Sequence, residues 1–312
     1  MPEPLYFFSF WLCVWFFLSI KIGDSHLKWV VFGLMLGASA LIKPHAMFIV
    51  PALILTTFYL HFRSVERWFT KAAVKSLIFV LGMFVTKFGI SYALAGESGL
   101  TLLGNFYTSK LTTSATNFER YLAIFEAAPK IGLGHVLAVC ILFGTPLAIV
   151  ISKMWKPVEQ PEAEQSQHSI AFLTVALLLN LIAVVALFSA SIVGSNELET
   201  AVRLHMRYYD FIFPLFYIAA GAQLASAGGD KFKWVIALPI LAVMVYATFK
   251  QLAPFTPYMV DSPELRGFSF NLSAFYILAT LSVFSLALWC LSKKAGAMVF
   301  LIVFMPLSAL SS

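Results

Sequence analysis

Charged residues are scarce in this chain: they make up 12% of its 312 residues, whereas hydrophobic residues make up 60%. The apolar stretches between the charges lack the alternation of apolar and polar residues that marks the strands of a transmembrane barrel. A bilayer core roughly 30 Å thick is crossed by a helix of about 20 apolar residues. The composition therefore predicts an all-α integral membrane protein, a polytopic transmembrane helical bundle.

Several motifs are missing, and each absence removes a class of function. The sequence contains neither GxxxxGK[ST] nor GxGxxG, so a nucleotide-driven pump is not predicted. The six histidines include no pair spaced as in HExxH, and the three cysteines lie far apart inside apolar stretches. We therefore expect no metal site, no disulfide framework and no cofactor.

Two further absences concern partners and targeting. No basic run carries interleaved aromatic residues on a polar face, so nucleic acid is not an expected partner despite the net charge of +6.

The N-terminus has an acid and no base ahead of its first apolar stretch, whereas a cleaved signal peptide has the reverse. We expect no signal peptide.

The apolar stretches predict about ten spans in a single integral-membrane domain covering 1–312. They lie at about 5–22, 28–42, 45–60, 75–94, 132–152, 169–193, 209–226, 234–251, 273–292 and 295–312. A single helix over 28–60 would be about 50 Å long, too long for one crossing, so the chain must turn back near Lys43-Pro44. Proline also disfavours helix at the residue before it. The segment 153–168, rich in Glu, Gln and Pro, predicts a solvated cytoplasmic linker.

The distribution of charge predicts which loops face the cytoplasm. One set of alternating loops holds about twelve basic and six acidic residues, and the other holds about nine of each. The more basic set should be cytoplasmic. Lys43-Pro44-His45, the long segment 95–131, and the segments 194–208 and 252–272 then all face outward.

The segment 95–131 is too long for an idle connection. Thr116-Asn117-Phe118-Glu119 has the spacing of a capping box, and Phe118, Tyr121, Leu122 and Phe125 follow on one face. This pattern predicts a short interfacial amphipathic helix that ends near Pro129. Such a helix either plugs the bundle or gates a substrate.

Candidate binding residues lie in the outward segment that contains Arg203, His205, Arg207 and Tyr208. Whether this segment is extended or helical, residues 203 and 207 share one side, so their guanidinium groups can converge on one anion such as a phosphate. The alternative is an interfacial belt, with the tyrosines at headgroup level and the arginines extended to lipid phosphates.

A second outward polar group consists of Lys43, His45 and Lys87. Charged groups at depth in a membrane are costly and usually line a polar cavity, which predicts that these three side chains line one. Alternatively, Lys43 and His45 cap the hairpin and have no role in binding. Lys87 could instead extend its ammonium group to the membrane interface, pair with Asp210 or contact a bound phosphate.

Three segments resemble the multi-spanning glycosyltransferases of the GT-C superfamily, which includes protein mannosyltransferase-like and lipid A aminoarabinose transferase-like enzymes. Pro2-Glu3-Pro4-Leu5 is similar to the E-P-L opening of a mid-chain span there. The stretch 33–45, ending in Lys43-Pro44-His45, is similar to the family's G-L-x-x-G-L-A-x-L-x-K-P hairpin. His205-Met206-Arg207-Tyr208 followed by Pro214 resembles its R-Y-x-x-x-x-x-P late span.

The resemblance implies transfer of a sugar from a polyprenyl-phosphate carrier to an acceptor on the outer face of the cell (inner) membrane. It makes Arg203, His205, Arg207 and Tyr208 candidates for binding the carrier's phosphate. In that family, earlier spans and a large first outward loop carry an acidic catalytic residue. This chain resembles only the later part, so we expect it to be part of a longer enzyme. The alternatives are that a partner supplies the missing spans or that the chain is a non-catalytic remnant, and no catalytic residue is assigned.

Two other classes of function remain open. A transporter or lipid flippase would place charged residues deep in the membrane, and Lys87 alone fits that description. A non-catalytic subunit of a membrane complex would co-purify with its partners at fixed stoichiometry.

Overall fold

The computed structural model describes residues 3–21, 23–62, 66–101, 117–154, 162–194, 197, 199–225, 233–250, 256–257, 263–269 and 272–311. Within these ranges nearly every residue is helical, which confirms the all-α class. The helices are α1 (Glu3–Ser19), α2 (His26–Ile42), α3 (Val50–Phe62), α4 (Trp68–Ala95), α5 (Asn117–Met154), α6 (Glu162–Ile192), α7 (Phe213–Ala225), α8 (Lys233–Lys250), α9 (Arg266–Ser269), α10 (Leu272–Leu291), α11 (Lys293–Met298) and α12 (Met305–Ser311).

Short irregular elements connect these helices. The 3₁₀ turns are Pro44–Ile49, Gly96–Leu100, Met206–Tyr209 and Pro263–Leu265, and a π-helical turn, Val299–Phe304, joins α11 to α12. Two strands of two residues each, β1 (Arg203–Leu204) and β2 (Thr256–Pro257), pair in parallel.

Six helical segments of the described chain are long and apolar enough to cross a membrane. They are Pro44–Phe62, Trp68–Leu100, Tyr121–Met154, Gln167–Ile192, Leu272–Leu291 and Lys293–Ser311. The other four predicted spans correspond to shorter apolar helices, namely α1, α2, α7 and most of α8. This arrangement is compatible with a multi-pass membrane protein. Six helices meet the length and composition of a span, so the predicted total of about ten spans is not confirmed.

The chain divides into two compact units. Unit 1 comprises Met1–Thr113 and Val158–Asn180, and unit 2 comprises Ser114–Pro157 and Leu181–Ser312. The single domain over 1–312 stays a prediction. So does the cytoplasmic linker at 153–168, where α5 ends at Met154 and α6 begins at Glu162. Residues 155–161 lie outside the described residues.

The turn at Lys43-Pro44 in unit 1 is confirmed. Helix α2 ends at Ile42, and Lys43 is extended, with φ −148° and ψ 122°, as expected for a residue that precedes proline. The rings of Trp29, near the start of α2, and His61, near the end of α3, have centroids 6.3 Å apart. The chain therefore reverses direction between the two helices.

Helices α2 and α4 run parallel in close contact, because glycine removes the side chain at two points. Gly33 lies against the backbone of Phe79, and Gly37 lies against Met83 and Thr86. These glycines are four residues apart, the small-xxx-small spacing that brings helix backbones together in membranes.

In unit 2 the predicted end of a short helix near Pro129 is wrong. Helix α5 (Asn117–Met154) continues through Pro129, and its non-helical residue lies further along, at Phe143. Proline removes one backbone hydrogen bond, and a long helix with many remaining bonds on either side tolerates that loss. The apolar side chains of the predicted face lie at the surface of unit 2: Phe118 is 78% exposed and Phe125 is 69% exposed.

Helix α5 is distorted further along. Phe143 has non-helical angles, φ −128° and ψ 22°, three residues before Pro146. A proline ring presses on the carbonyl group four residues earlier, so Pro146 accounts for the kink.

Candidate functional site

Two loops predicted to face outward meet in unit 2. Strand β1 pairs with β2, so that Arg203 lies opposite Thr256 and Leu204 lies opposite Pro257. Ala201 packs against a cluster that contains Ala128 and Ile131 of α5. Parts of the segments 95–131, 194–208 and 252–272 thus lie together at one end of unit 2, as alternating loops on one side of a bundle require.

A carboxylate occupies the centre of the predicted cationic group. Arg203 Nη1 lies 2.8 Å from Glu199 Oε1, and His205 Nε2 lies 3.5 Å from Glu199 Oε2. The other ring nitrogen of His205, Nδ1, is hydrogen-bonded to Ser189 Oγ at 2.9 Å. The side chains of Glu199, Arg203 and His205 are 12%, 14% and 7% exposed. We call Ser189, Glu199, Arg203 and His205 the Glu199 cluster.

The Glu199 cluster shows that Arg203 and His205 do converge, but on an anion that the chain itself provides. Sequence reasoning missed this role of Glu199. Its spacing of four residues from Arg203 is an ion-pair signal only within a helix, and residues 199–203 are not helical, so the sequence offered no clear signal for it.

Arg207 and Tyr208 lie in the turn that follows the cluster. The ring of Tyr208 has its centroid 6.1 Å from that of His205 and 6.1 Å from that of Phe188, so Tyr208 packs onto the cluster. Arg207 is partly exposed, and its guanidinium makes no ion pair with any acid in the described ranges. Arg207 is therefore the member of the predicted set that remains available to an external anion.

The same turn leads to a pair of carboxyl groups. Asp210 follows the turn Met206–Tyr209, and Glu264 lies in the turn Pro263–Leu265. Burial and the neighbouring carboxylate of Asp210 raise the pKa of Glu264 to about 9, and protonated Glu264 donates a hydrogen bond to Asp210. Glu264 also borders a cavity of about 310 Å³ in unit 2. No sequence pattern linked these two acids.

This pair predicts a specific dependence of stability on pH. Folded Glu264 keeps its proton up to about pH 9, whereas in the unfolded chain the proton leaves near the ordinary pKa of 4.5. The folded state therefore binds more protons between these values, and stability must fall as the pH rises through this window. Replacing Glu264 with glutamine should remove this part of the pH dependence and raise the melting temperature at pH 8 by several degrees, roughly the effect of 1–2 kcal/mol.

Thermal unfolding from pH 5 to pH 9 in one detergent measures the effect. Glu126→Gln is the matched control, because Glu126 is an exposed acid on α5 of the same unit. Equal pH profiles for wild type and Glu264→Gln would contradict the assigned protonation of the pair.

The residues predicted to line a cavity in unit 1 lie around the hairpin tip. Lys43 Nζ is 3.8 Å from Glu3 Oε1 and 5.7 Å from the centroid of the Tyr6 ring. His45 is 7% exposed and packs edge-on against Phe48. The paired charge and the buried ring are what the hairpin-cap alternative requires, and a cavity-lining role for the set stays a prediction.

Lys87 is also 7% exposed, and its Nζ lies 6.0 Å from the centroid of the Phe88 ring. Gly33 faces Phe79, and Gly37, one helical turn later, faces Met83. One more turn along both helices places Lys87 of α4 at the level of Leu41 of α2, close to the hairpin tip. No acid of the described chain forms an ion pair with Lys87.

The described residues contain no group of three or more His, Cys, Asp or Glu side chains that could hold a metal ion. Cys13, Cys140 and Cys290 are buried. Comparison of the chain with known protein families, curated proteins and solved structures finds no match. The interpretation of the site therefore depends on its own geometry.

Proposed function

We propose that this protein is a multi-pass membrane glycosyltransferase, or the membrane part of one, that takes a sugar from a polyprenyl-phosphate carrier. The observation that carries the proposal is Arg207, a partly exposed cation with no acidic partner among the described residues, in a loop at one end of an apolar helical unit. A phosphate on a lipid would reach such a group from the membrane interface.

The chemistry explains why an arginine suits this position. When a sugar leaves a lipid phosphate, negative charge develops on the phosphate oxygens, and a nearby guanidinium stabilises it through two parallel hydrogen bonds. Arg203 and His205 already interact with Glu199, so they position the loop rather than neutralise the substrate. Tyr208 packs between the cluster and Phe188 and holds the turn that presents Arg207.

The topology that this function needs is part of the proposal. All ten apolar stretches cross the membrane, which is the cell (inner) membrane, and the loops of unit 2 that carry Arg207 face outward. Helices α1 and α2, with 17 residues each, are at the lower limit for a crossing. Helix α7 has 13 residues, and the turn Met206–Tyr209 precedes it. In the proposed orientation this turn extends the crossing toward the outer surface.

Removal of the Arg207 charge tests the proposal. In detergent-purified protein, Arg207→Gln should weaken binding of a polyprenyl monophosphate by about tenfold, because a charge-assisted bidentate contact is lost. Lys130→Gln is the matched control, since Lys130 is an exposed base on α5 of the same unit. The uncharged polyprenol serves as the second ligand and should bind wild type and Arg207→Gln equally.

Transfer is measured separately, with a labelled polyprenyl-phosphate sugar and membranes that contain the protein. Arg207→Gln should abolish transfer while Lys130→Gln retains it. Equal phosphate binding by wild type and Arg207→Gln would refute the proposed site.

A transporter or flippase is the second candidate, and Lys87 is the observation that favours it. A buried lysine within a helix of membrane-spanning length is costly unless it serves a pathway or a substrate. Lys87→Met should then abolish uptake of a labelled lipid-linked substrate by reconstituted vesicles. Under the glycosyltransferase proposal, such vesicles show no uptake that depends on Lys87.

A further inference from the structure

Unit 2 contains a partly open cavity of about 310 Å³ whose walls are mainly aromatic and aliphatic. Phe143 of α5, Tyr217 of α7 and Phe304 contribute rings to it, and Glu264 and Ser308 contribute polar atoms. A concave apolar space of this size with a few convergent polar groups is the usual form of a small-ligand site.

Two helices depart from regular geometry where they line this cavity. Phe143 is the non-helical residue at the kink of α5. Phe304 ends the π-helical turn Val299–Phe304, and Met305, which also lines the cavity, follows it. Single π-helical turns are rare and frequently occur at functional sites. Both distortions border the same space, which is what a site shaped for a ligand requires.

The charge of the cavity determines which ligands fit. Glu264 shares its proton with Asp210 through a hydrogen bond, so the two carboxyl groups together carry one negative charge. The second oxygen of Glu264, Oε2, is buried and receives no hydrogen bond from the described residues. An anion would be repelled by this pair. A sugar would need many more hydrogen-bonding partners than the lining offers.

We infer that this cavity binds the primary ammonium group of a small amine, against the Glu264–Asp210 pair and between the rings of Phe143, Tyr217 and Phe304. Aromatic faces attract cations, and a primary ammonium supplies the N–H donor that Glu264 Oε2 lacks. The ammonium comes either from a free amine or from the headgroup of an ethanolamine lipid. This inference goes beyond the proposed function, because it requires neither a phosphate at Arg207 nor sugar transfer.

The first experiment compares a cation with its neutral counterpart. Purified, delipidated protein in detergent is titrated at pH 7 with butylamine and with 1-butanol, and binding is measured by calorimetry. We expect saturable binding of butylamine and none of 1-butanol. Absence of saturable butylamine binding, or equal binding of both compounds, overturns the inference.

Two substitutions locate the binding. The double variant Glu264→Gln/Asp210→Asn removes the single negative charge of the pair and should weaken butylamine binding by at least about tenfold, the value of one charge-assisted hydrogen bond. Ser308→Leu fills the cavity but keeps both carboxyl groups, and it should also abolish butylamine binding. With two independent variants, the test remains decisive if one of them fails to fold. Glu126→Gln is the matched acid control and should bind like wild type. Butylamine binding that survives both cavity substitutions overturns the assignment.

The source of the ammonium is tested with lipids. If it is a headgroup, mass spectrometry should find phosphatidylethanolamine retained by wild type but not by Glu264→Gln/Asp210→Asn, with phosphatidylglycerol retained by neither. If it is a free amine, butylamine binding should be unchanged in phosphatidylethanolamine nanodiscs. Arg207→Gln, which tests the proposed phosphate site, should leave butylamine binding intact, so failure of one hypothesis is distinguishable from failure of the other.

Discussion

Replacing Gly33 with alanine is expected to destabilise the protein by roughly 1–3 kcal/mol, the usual cost of inserting a methyl group where packing leaves no space. A Cβ atom on Gly33 would overlap the carbonyl oxygen of Phe79 and lie 2.9 Å from its Cα. These are backbone atoms, so α4 as a whole would have to move away. Gly33→Leu should cost more and leave little folded protein in the membrane.

The measurement is the midpoint of thermal or denaturant unfolding in a fixed detergent. Gly89→Ala is the matched control, because Gly89 lies on α4 and a Cβ atom there meets no heavy atom within 4 Å. Alanine should be neutral or slightly stabilising at Gly89, since glycine within a helix costs about 0.5–1 kcal/mol relative to alanine. If Gly33→Ala proves no worse than Gly89→Ala, close contact between α2 and α4 does not stabilise the fold.

Features with a local physical cause were predictable from the sequence. The reversal at Lys43-Pro44 follows from two constraints that act on neighbouring residues, the restriction that proline places on Lys43 and the length of a single crossing. The positions of the apolar helices follow from hydropathy in the same way. Glycine contacts between α2 and α4 had a local signal as well, in the spacing of Gly33 and Gly37.

Features that depend on neighbours distant in sequence were not predictable. The capping-box pattern around Phe118 is a local signal. Whether α5 continues past Pro129 depends on the long helical segment that follows the proline, up to Met154. Asp210 and Glu264 come together where the turns Met206–Tyr209 and Pro263–Leu265 meet, and this contact between segments distant in sequence leaves no periodic pattern. The cavity requires a kink and a π-helical turn on separate helices, and hydropathy records neither.

Replacing Glu199 with alanine is expected to destabilise the protein by roughly 3 kcal/mol, because it removes the carboxylate that two buried basic side chains contact. Glu199 contacts Arg203 and His205 through separate oxygens, and all three side chains are less than one-sixth exposed. Removal of the carboxylate takes away the ion pair with Arg203 in a site that excludes most water, where a buried charge is costly. Thermal unfolding of the purified variant measures the loss.

A double-mutant cycle separates this pairing from general disruption of the loop. Arg203→Met in the Glu199→Ala background removes the guanidinium group that has lost its contact with Glu199. The double variant should therefore be more stable than Glu199→Ala alone. Glu197→Ala is the matched control, since Glu197 is an exposed acid two residues earlier and its removal should change stability by no more than about 0.5 kcal/mol. Additive losses in the cycle would mean that Glu199 and Arg203 act independently. In that case Glu199 would not hold Arg203 away from an external phosphate, and its pairing would no longer favour Arg207 over Arg203 as the phosphate-binding residue.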